Sequence, residues 1–247
     1  YIITKLISFT ARMSSLKTDI IRHLQQELLQ LSVHKTKEQQ QGLPPSLSFL
    51  EPHLPQGRFP VAALHEFRCA AEEELAATTA FIAGLHTCLH PPGGALVWIS
   101  RHCAVFPPAL QHFSMQPEQI IFIHPPKDEQ VYWVLEEALQ CSTLTAVIAE
   151  VKEMGFTQTR RLQLAVERSG VMGLLLHLRS SAQGNNTCTS RWRIHAAPSG
   201  NIDGLPGVGH PRWVVELLKI RNGKPGKWMV EWLSLIHISE PTRQAEI

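Results

Sequence analysis

The sequence predicts an α/β domain: a mostly parallel sheet flanked by helices, preceded by an amphipathic helix and closed by an antiparallel hairpin. Three observations carry this. Short runs that are apolar at every position, such as ALVWIS (95–100) and TAVIAEV (145–151), alternate with segments of helical period. Strands apolar on both faces need helices above and below, which is the pattern of a parallel sheet. Near the end, two further strand-like runs flank NGKPG, a hairpin turn signal.

The elements follow in order. Residues 14–32 place Leu16, Ile20, Ile21, Leu24, Leu28, Leu29 and Leu31 at helical spacing with polar residues between. This helix either packs on the domain or docks a partner. HKTKEQQQGLPPS (34–46) is a polar, proline-containing linker, and LPQGRFP (54–60) a turn. Val61–Phe67 reads as the first core strand, Arg68–Glu72 as a loop and Ala76–Leu85 as a buried helix. Beyond the punctuation of Pro91–Gly94, a strand spans Ala95–Ser100, a short helix Phe106–Met115 and a strand Gln119–His124. Helices are expected over Asp128–Gln140 and Thr157–Ser169, capped by Asp128 and Thr157, with a strand over Thr145–Val151 between them. A strand at Gly173–Leu178 and a loop at Ala182–Thr187 come next. Strands at Ser190–Ala196, Trp213–Arg221 and Lys227–Trp232 complete the sheet.

Both ends stand apart from this pattern. Residues 1–12 (YIITKLISFTAR) precede the first methionine, Met13, and read as upstream sequence. They are too short for a membrane span and lack the layout of a signal peptide. The stretch from Ser234, SLIHISEPTRQAEI, follows a natural terminus at MVEWL and reads as adapter-derived. The expected organisation is thus residues 13–46 as helix and linker and residues 47–233 as the domain.

Composition narrows the function. A formal charge of +2 over 247 residues gives no global basic field, so any nucleic-acid contact is local, weak or indirect. Five cysteines, odd in number and without C-x-x-C spacing, suit reduced thiols in a cytoplasmic protein. Thirteen scattered histidines offer no paired metal motif, and neither metal nor cofactor is expected.

The chemistry-bearing stretch is LHEFRCAAEEELAATTAFIAGL (64–85). Strand, loop and helix are the framework in which a phosphate loop works, with backbone N–H groups and a helix N-terminus facing the anion. The pattern required is G-x-x-x-x-G-K-[ST]. Thr78 and Thr79 stand near the hydroxyl position, but no glycine occurs between Arg68 and Ala83, and no lysine. Glu72, Glu73 and Glu74 set carboxylates where phosphate would approach.

The succession WISRHC … FPPALQHFSMQPEQIIFIHPPKDEQVYWVLEEALQCSTLTAVIAEV resembles a RecA-like core. LHE, RRLQLAVERSGVMGLLL, SRWRI and GHPRWVVELLKIRNGKPGKWMVEW make the chain similar, over about residues 47–232, to the ImuA family. These are RecA-like accessory proteins of bacterial mutagenic translesion synthesis, related also to the division inhibitor SulA. The resemblance implies that Arg101 stands at or beside the catalytic glutamate of RecA and Glu150 at its Walker B aspartate. The degenerate nucleotide site thus comprises Glu66 of the LHE triplet, Thr78, Thr79, Arg101 and Glu150. No ATPase activity is expected, because an arginine cannot serve as base and no lysine or glycine loop fixes a triphosphate.

The resemblance also implies an adaptor joining RecA, a Y-family polymerase-like partner of the ImuB type and an error-prone replicative-type polymerase in the SOS response. The alternative is a SulA-like inhibitor of the division GTPase. Candidate contact residues have two readings each. Arg160 and Arg161 form either a solvated helix face or a contact for an acidic or phosphate-bearing partner. Arg179, Arg191, Trp192 and Arg193 either replace RecA's DNA-contacting loop, stacking bases on Trp192, or belong to an alternating strand with Trp192 facing inward. Lys219, Arg221, Lys224 and Lys227 make a small basic patch at the last hairpin.

Overall fold

The computed structural model describes residues 43–90, 93–101, 105–178, 186–199, 209–233 and, in backbone only, 236–240. The expected N-terminal helix, most of the linker, Arg179 and most of the 182–187 loop lie outside them.

A nine-stranded sheet forms the centre, in the order β3-β2-β4-β5-β1-β6-β7-β8-β9. Its strands are β1 (Leu64–Cys69), β2 (Leu96–Ile99), β3 (Ile120–Ile123), β4 (Ala146–Val151), β5 (Met172–Leu178), β6 (Ser190–Ala197), β7 (Arg212–Ile220), β8 (Gly226–Trp232) and β9 (Ile236–Glu240). Pairing is parallel from β3 through β6 and antiparallel from β6 through β9. The expected mostly parallel α/β sheet with an antiparallel C-terminal hairpin is therefore what the chain forms, consistent with a RecA-like core. Strand β9 falls in the segment read as adapter-derived; its backbone pairs with the edge of β8.

Two apolar layers sandwich the sheet. On one face, helix α1 (Glu72–Leu89) and the 3₁₀ turns Pro45–His53 and Pro107–Phe113 bury Phe67, Phe81, Trp98, Trp192 and Trp213. On the other, α2 (Asp128–Gln140) and α3 (Phe156–Ser169) cover Leu64, Val97, Val147 and Leu175. Complete burial of side chains the size of Phe67 and Trp192 contributes roughly 2–3 kcal/mol each. The fold takes in a few residues before 47, since Leu43 packs on the first layer and Ser46 Oγ donates to Cys88 Sγ at 3.6 Å.

Several local expectations are corrected. Strand β1 begins at Leu64 rather than Val61, because bonds from Ala63 N to the Val61 carbonyl and from Val61 N to the Phe59 carbonyl bend the chain just before it. Helix α1 starts at Glu72, not Ala76: three acidic residues in its first turn suit the positive end of the helix. Asp128 is the first residue of α2 rather than its cap, its carboxylate being taken by Arg101 and Lys152. Gly155, not Thr157, caps α3, its N–H donating to Gln158 Oε1 at 3.1 Å. The short helix after β2 is a 3₁₀ turn opening on Pro107–Pro108.

The β7–β8 turn is clamped onto Pro45–His53. Lys224 N donates to the His53 carbonyl at 2.9 Å, and His53 stacks edge-on against Trp228. A Cβ built on Gly223 would run into that carbonyl oxygen. Gly223→Ala is therefore expected to cost about 1–3 kcal/mol, the range for overpacking against atoms that cannot move aside. A thermal melt unchanged from the parent would show that the clamp yields.

Candidate functional site

The residues that fold analogy would assemble into one site are split by the sheet. Only Ala70 and Ala71 connect β1 to α1. The helix N-terminus, a ready anion site in such sheets, is met by the protein's own Glu74. One carboxylate oxygen of Glu74 accepts Ala70 N at 2.7 Å; the other accepts Arg193 Nη2 at 2.9 Å and lies 3.1 Å from His195 Nδ1. Burial would raise the Glu74 carboxyl, but the bonds from Arg193 and Ala70 outweigh it and hold it below the usual range.

On the α1 face, Thr78 is fully buried and its hydroxyl receives Cys69 Sγ at 3.4 Å. Burial pushes the Cys69 thiol up. Glu150, near the end of β4, shares this face. Burial raises its carboxyl to about 7; the Trp98 indole beside it pulls the other way without completing a hydrogen bond, as does the charge of His124. Thr79, one residue on, turns outward. It lines a groove of about 310 Å³ between α1 and the Pro107–Phe113 turn, with Leu75, Ala76, Val105, Phe106 and Phe113.

Glu66 is on the opposite face. It is fully buried and binds Arg68 Nε at 2.8 Å, Arg191 Nε at 2.7 Å and Asn186 Nδ2 at 2.9 Å, with His177 Nε2 at 3.6 Å. Burial alone would raise its carboxyl; the bonds from Asn186 and Arg191, with the charges of His177 and Arg191, win and lower it. Arg101 is drawn to the start of α2, donating to Asp128 Oδ1 at 3.0 Å and to the Pro126 carbonyl at 3.3 Å. Of the five positions that the resemblance assigns to a nucleotide site, only Thr78 and Glu150 look into the same layer.

The basic candidates divide similarly. Arg160 is exposed, while Arg161 Nη2 donates to both carboxylate oxygens of Glu136 of α2, at 2.7 and 2.8 Å. On β6 the alternating-strand reading is the observed one. Trp192 is wholly buried and donates to Ser190 Oγ at 2.6 Å, so it cannot stack bases as the other reading required. Arg191 and Arg193 answer Glu66 and Glu74 instead. At the hairpin Lys219, Arg221, Lys224 and Lys227 are exposed; Arg221 donates to the Thr187 carbonyl and Lys227 pairs with Glu216 at 2.6 Å.

Sequence reading took Glu74 only as one of three carboxylates at the loop and missed Glu216, His177 and His195; His195 joins Glu74 of α1 to Glu216 of β7, and His177 of β5 faces Glu66 of β1. The alternation of Arg191, Arg193 and His195 with buried Trp192 and Ile194 was the available signal for a charged sheet face. Among the described residues, no group of three or more His, Cys, Asp or Glu could hold a metal ion, and no helix is long and apolar enough to cross a membrane.

No protein-family model matches the chain. Over 215 residues it is 35% identical to Protein ImuA of Caulobacter vibrioides, strains NA1000/CB15N and ATCC 19089/CB 15 alike, covering 81% of this chain and 88% of each relative.

Proposed function

The chain belongs to the ImuA family, and from that premise we propose that it is a non-enzymatic accessory protein of SOS-induced mutagenic translesion DNA synthesis. In this reading it is a RecA-like adaptor in the cytoplasm, linking RecA to a Y-family polymerase-like protein of the ImuB type and, through it, to an error-prone replicative-type polymerase.

The observation that carries the proposal is the β1–α1 junction. A phosphate loop threads several glycine-flanked residues between strand and helix; here two alanines make the connection and Glu74 occupies the helix end. An incoming triphosphate would face Glu72, Glu73 and Glu74 together, with repulsion and no lysine to offset it. Glu150, protonated below about pH 7, is a poor magnesium ligand in that range. What remains is a RecA-like shape with its charges internally paired, which suits recognition by protein partners. DNA contact, on this reading, is limited to Lys219, Arg221 and Lys224 and is salt-sensitive.

Residues 13–233 immobilised as bait in extract from DNA-damaged cells should capture RecA and the polymerase-like protein. Capture of the division GTPase without RecA would replace the adaptor with the SulA-like inhibitor. In parallel, 1 mM ATP with Mg²⁺, a concentration of about the weakest affinity worth considering, should leave the melting temperature unchanged. A stabilisation abolished by Glu150→Ala would sink the non-enzymatic part.

A further inference from the structure

We propose that the groove between α1 and the Pro107–Phe113 turn is filled by residues 16–31 of this same chain.

The groove is apolar and open. Leu75, Ala76, Thr79 and Ala80 form one stripe on the first turns of α1, and Val105, Phe106, Ala109 and Phe113 form the facing wall. Phe106 at the rim is 69% exposed, the largest exposure among the big apolar side chains described. A single exposed leucine needs no explanation, but an aromatic projecting beside a concave apolar stripe on an otherwise well-packed layer does.

The chain itself supplies a matching occupant. Leu16, Ile20, Leu24, Leu28 and Leu31 recur at three- and four-residue spacing, the anchor pattern of a helix laid in a groove.

Connection and direction agree. Leu43 packs on the same apolar layer that Leu75, Val105 and Phe113 belong to or border, so the chain enters on the face that carries the groove. It does so beside the last turn of α1, where Ser46 meets Cys88. From there to Ala76 is twelve residues of helix, about 18 Å. Residues 33–42 reach about 33 Å when extended. The linker thus returns the segment to the groove without strain. A partner's helix could enter only where the segment was displaced.

The test uses the full chain with Phe106 replaced by p-benzoyl-phenylalanine. Irradiation should join position 106 to a tryptic peptide from residues 18–35, within one chain, at a yield independent of protein concentration. The same chain carrying Leu24→Glu and Leu28→Glu should lose that cross-link about tenfold or more, as expected when two buried anchors become charged. Both changes lie outside the described residues and Phe106 is already exposed, so the two packed layers that build the groove keep all their side chains. Cross-linked dimers, cross-links elsewhere in the chain, or a yield untouched by the double change would each overturn the assignment.

Discussion

Glu66→Ala is expected to lower folding stability by about 3–5 kcal/mol, the loss seen when one member of a buried ion group is removed. The carboxylate has no solvent exposure, contacts Arg191 at 2.7 Å and is the nearer of two carboxylates facing Arg68; Glu153 stands 3.8 Å from Arg68 and is half exposed. Truncation would take from the Arg68 and Arg191 guanidinium groups the buried carboxylate they share, leaving Arg68 with only the more distant, half-exposed Glu153. Urea unfolding at pH 7 measures the effect. Adding Arg68→Met and Arg191→Met should recover more than half of the loss, because the penalty is the stranded charge and not the missing carboxylate. The pH dependence follows from the lowered carboxyl. In the unfolded chain Glu66 titrates near 4.5; in the fold it titrates lower. Its contribution is complete above the unfolded value and is lost as pH falls through the folded one. Parent and variant should therefore converge on acidification below about pH 4.5. A loss of under about 1 kcal/mol at neutral pH, typical of solvated pairs, would remove Glu66 as the hub of the cluster.

Glu150→Gln is expected to do the opposite, stabilising the protein by up to about 3 kcal/mol at pH 8. A carboxyl raised from 4.5 to about 7 is disfavoured as an anion by about 1.4 kcal/mol for each unit. The folded chain keeps this proton between pH 4.5 and 7 while the unfolded chain has lost it, so stability falls as pH rises through that window and is flat above it. Glutamine carries no such proton and abolishes the slope. His65 runs the other way: burial lowers it to about 4, so stability rises with pH from about 4 to 6.5. Burial lowers His86 and His177 as well, so in the parent the histidine slopes oppose that of Glu150, and in Glu150→Gln the rise due to the buried histidines should stand without it. Equal unfolding midpoints for parent and variant at pH 8 would show that the carboxylate is well solvated after all. If the variant is more stable and still captures the same partners, the glutamate is a cost that binding does not require.

How much of this was legible in the sequence depended on range. Runs such as TAVIAEV and GLLLHL gave the strands nearly to the residue, because a strand covered on both sides must be apolar throughout and nothing else in the chain has that texture. The split of Glu66 from Thr78 was legible in principle: twelve residues and a strand-to-helix turn separate them, and alternate positions of β1 point to opposite faces. It was obscured by treating LHE as a block. The caps at Asp128 and Thr157 failed for a different reason. Asp128 has the right side chain for a cap, but Arg101 and Lys152, each more than twenty residues away, hold it elsewhere. The Glu66 cluster draws Asn186 and Arg191 from 120 and 125 residues off, a conjunction no local pattern announces. Trp192 shows the reverse, where period-two alternation alone told which way the indole faces.

The two-alanine connection between β1 and α1 has an evolutionary consequence. Substitution can change what Ala70 and Ala71 carry, but it cannot lengthen the path between them. Glu74 binds Ala70 N with one carboxylate oxygen and Arg193 of β6 with the other, so an insertion there would also have to unpick β6. The junction therefore behaves as a ratchet: drift around it is free to reshape the surface, while a phosphate-wrapping loop at this point would need new backbone and a repacked neighbour in a single step.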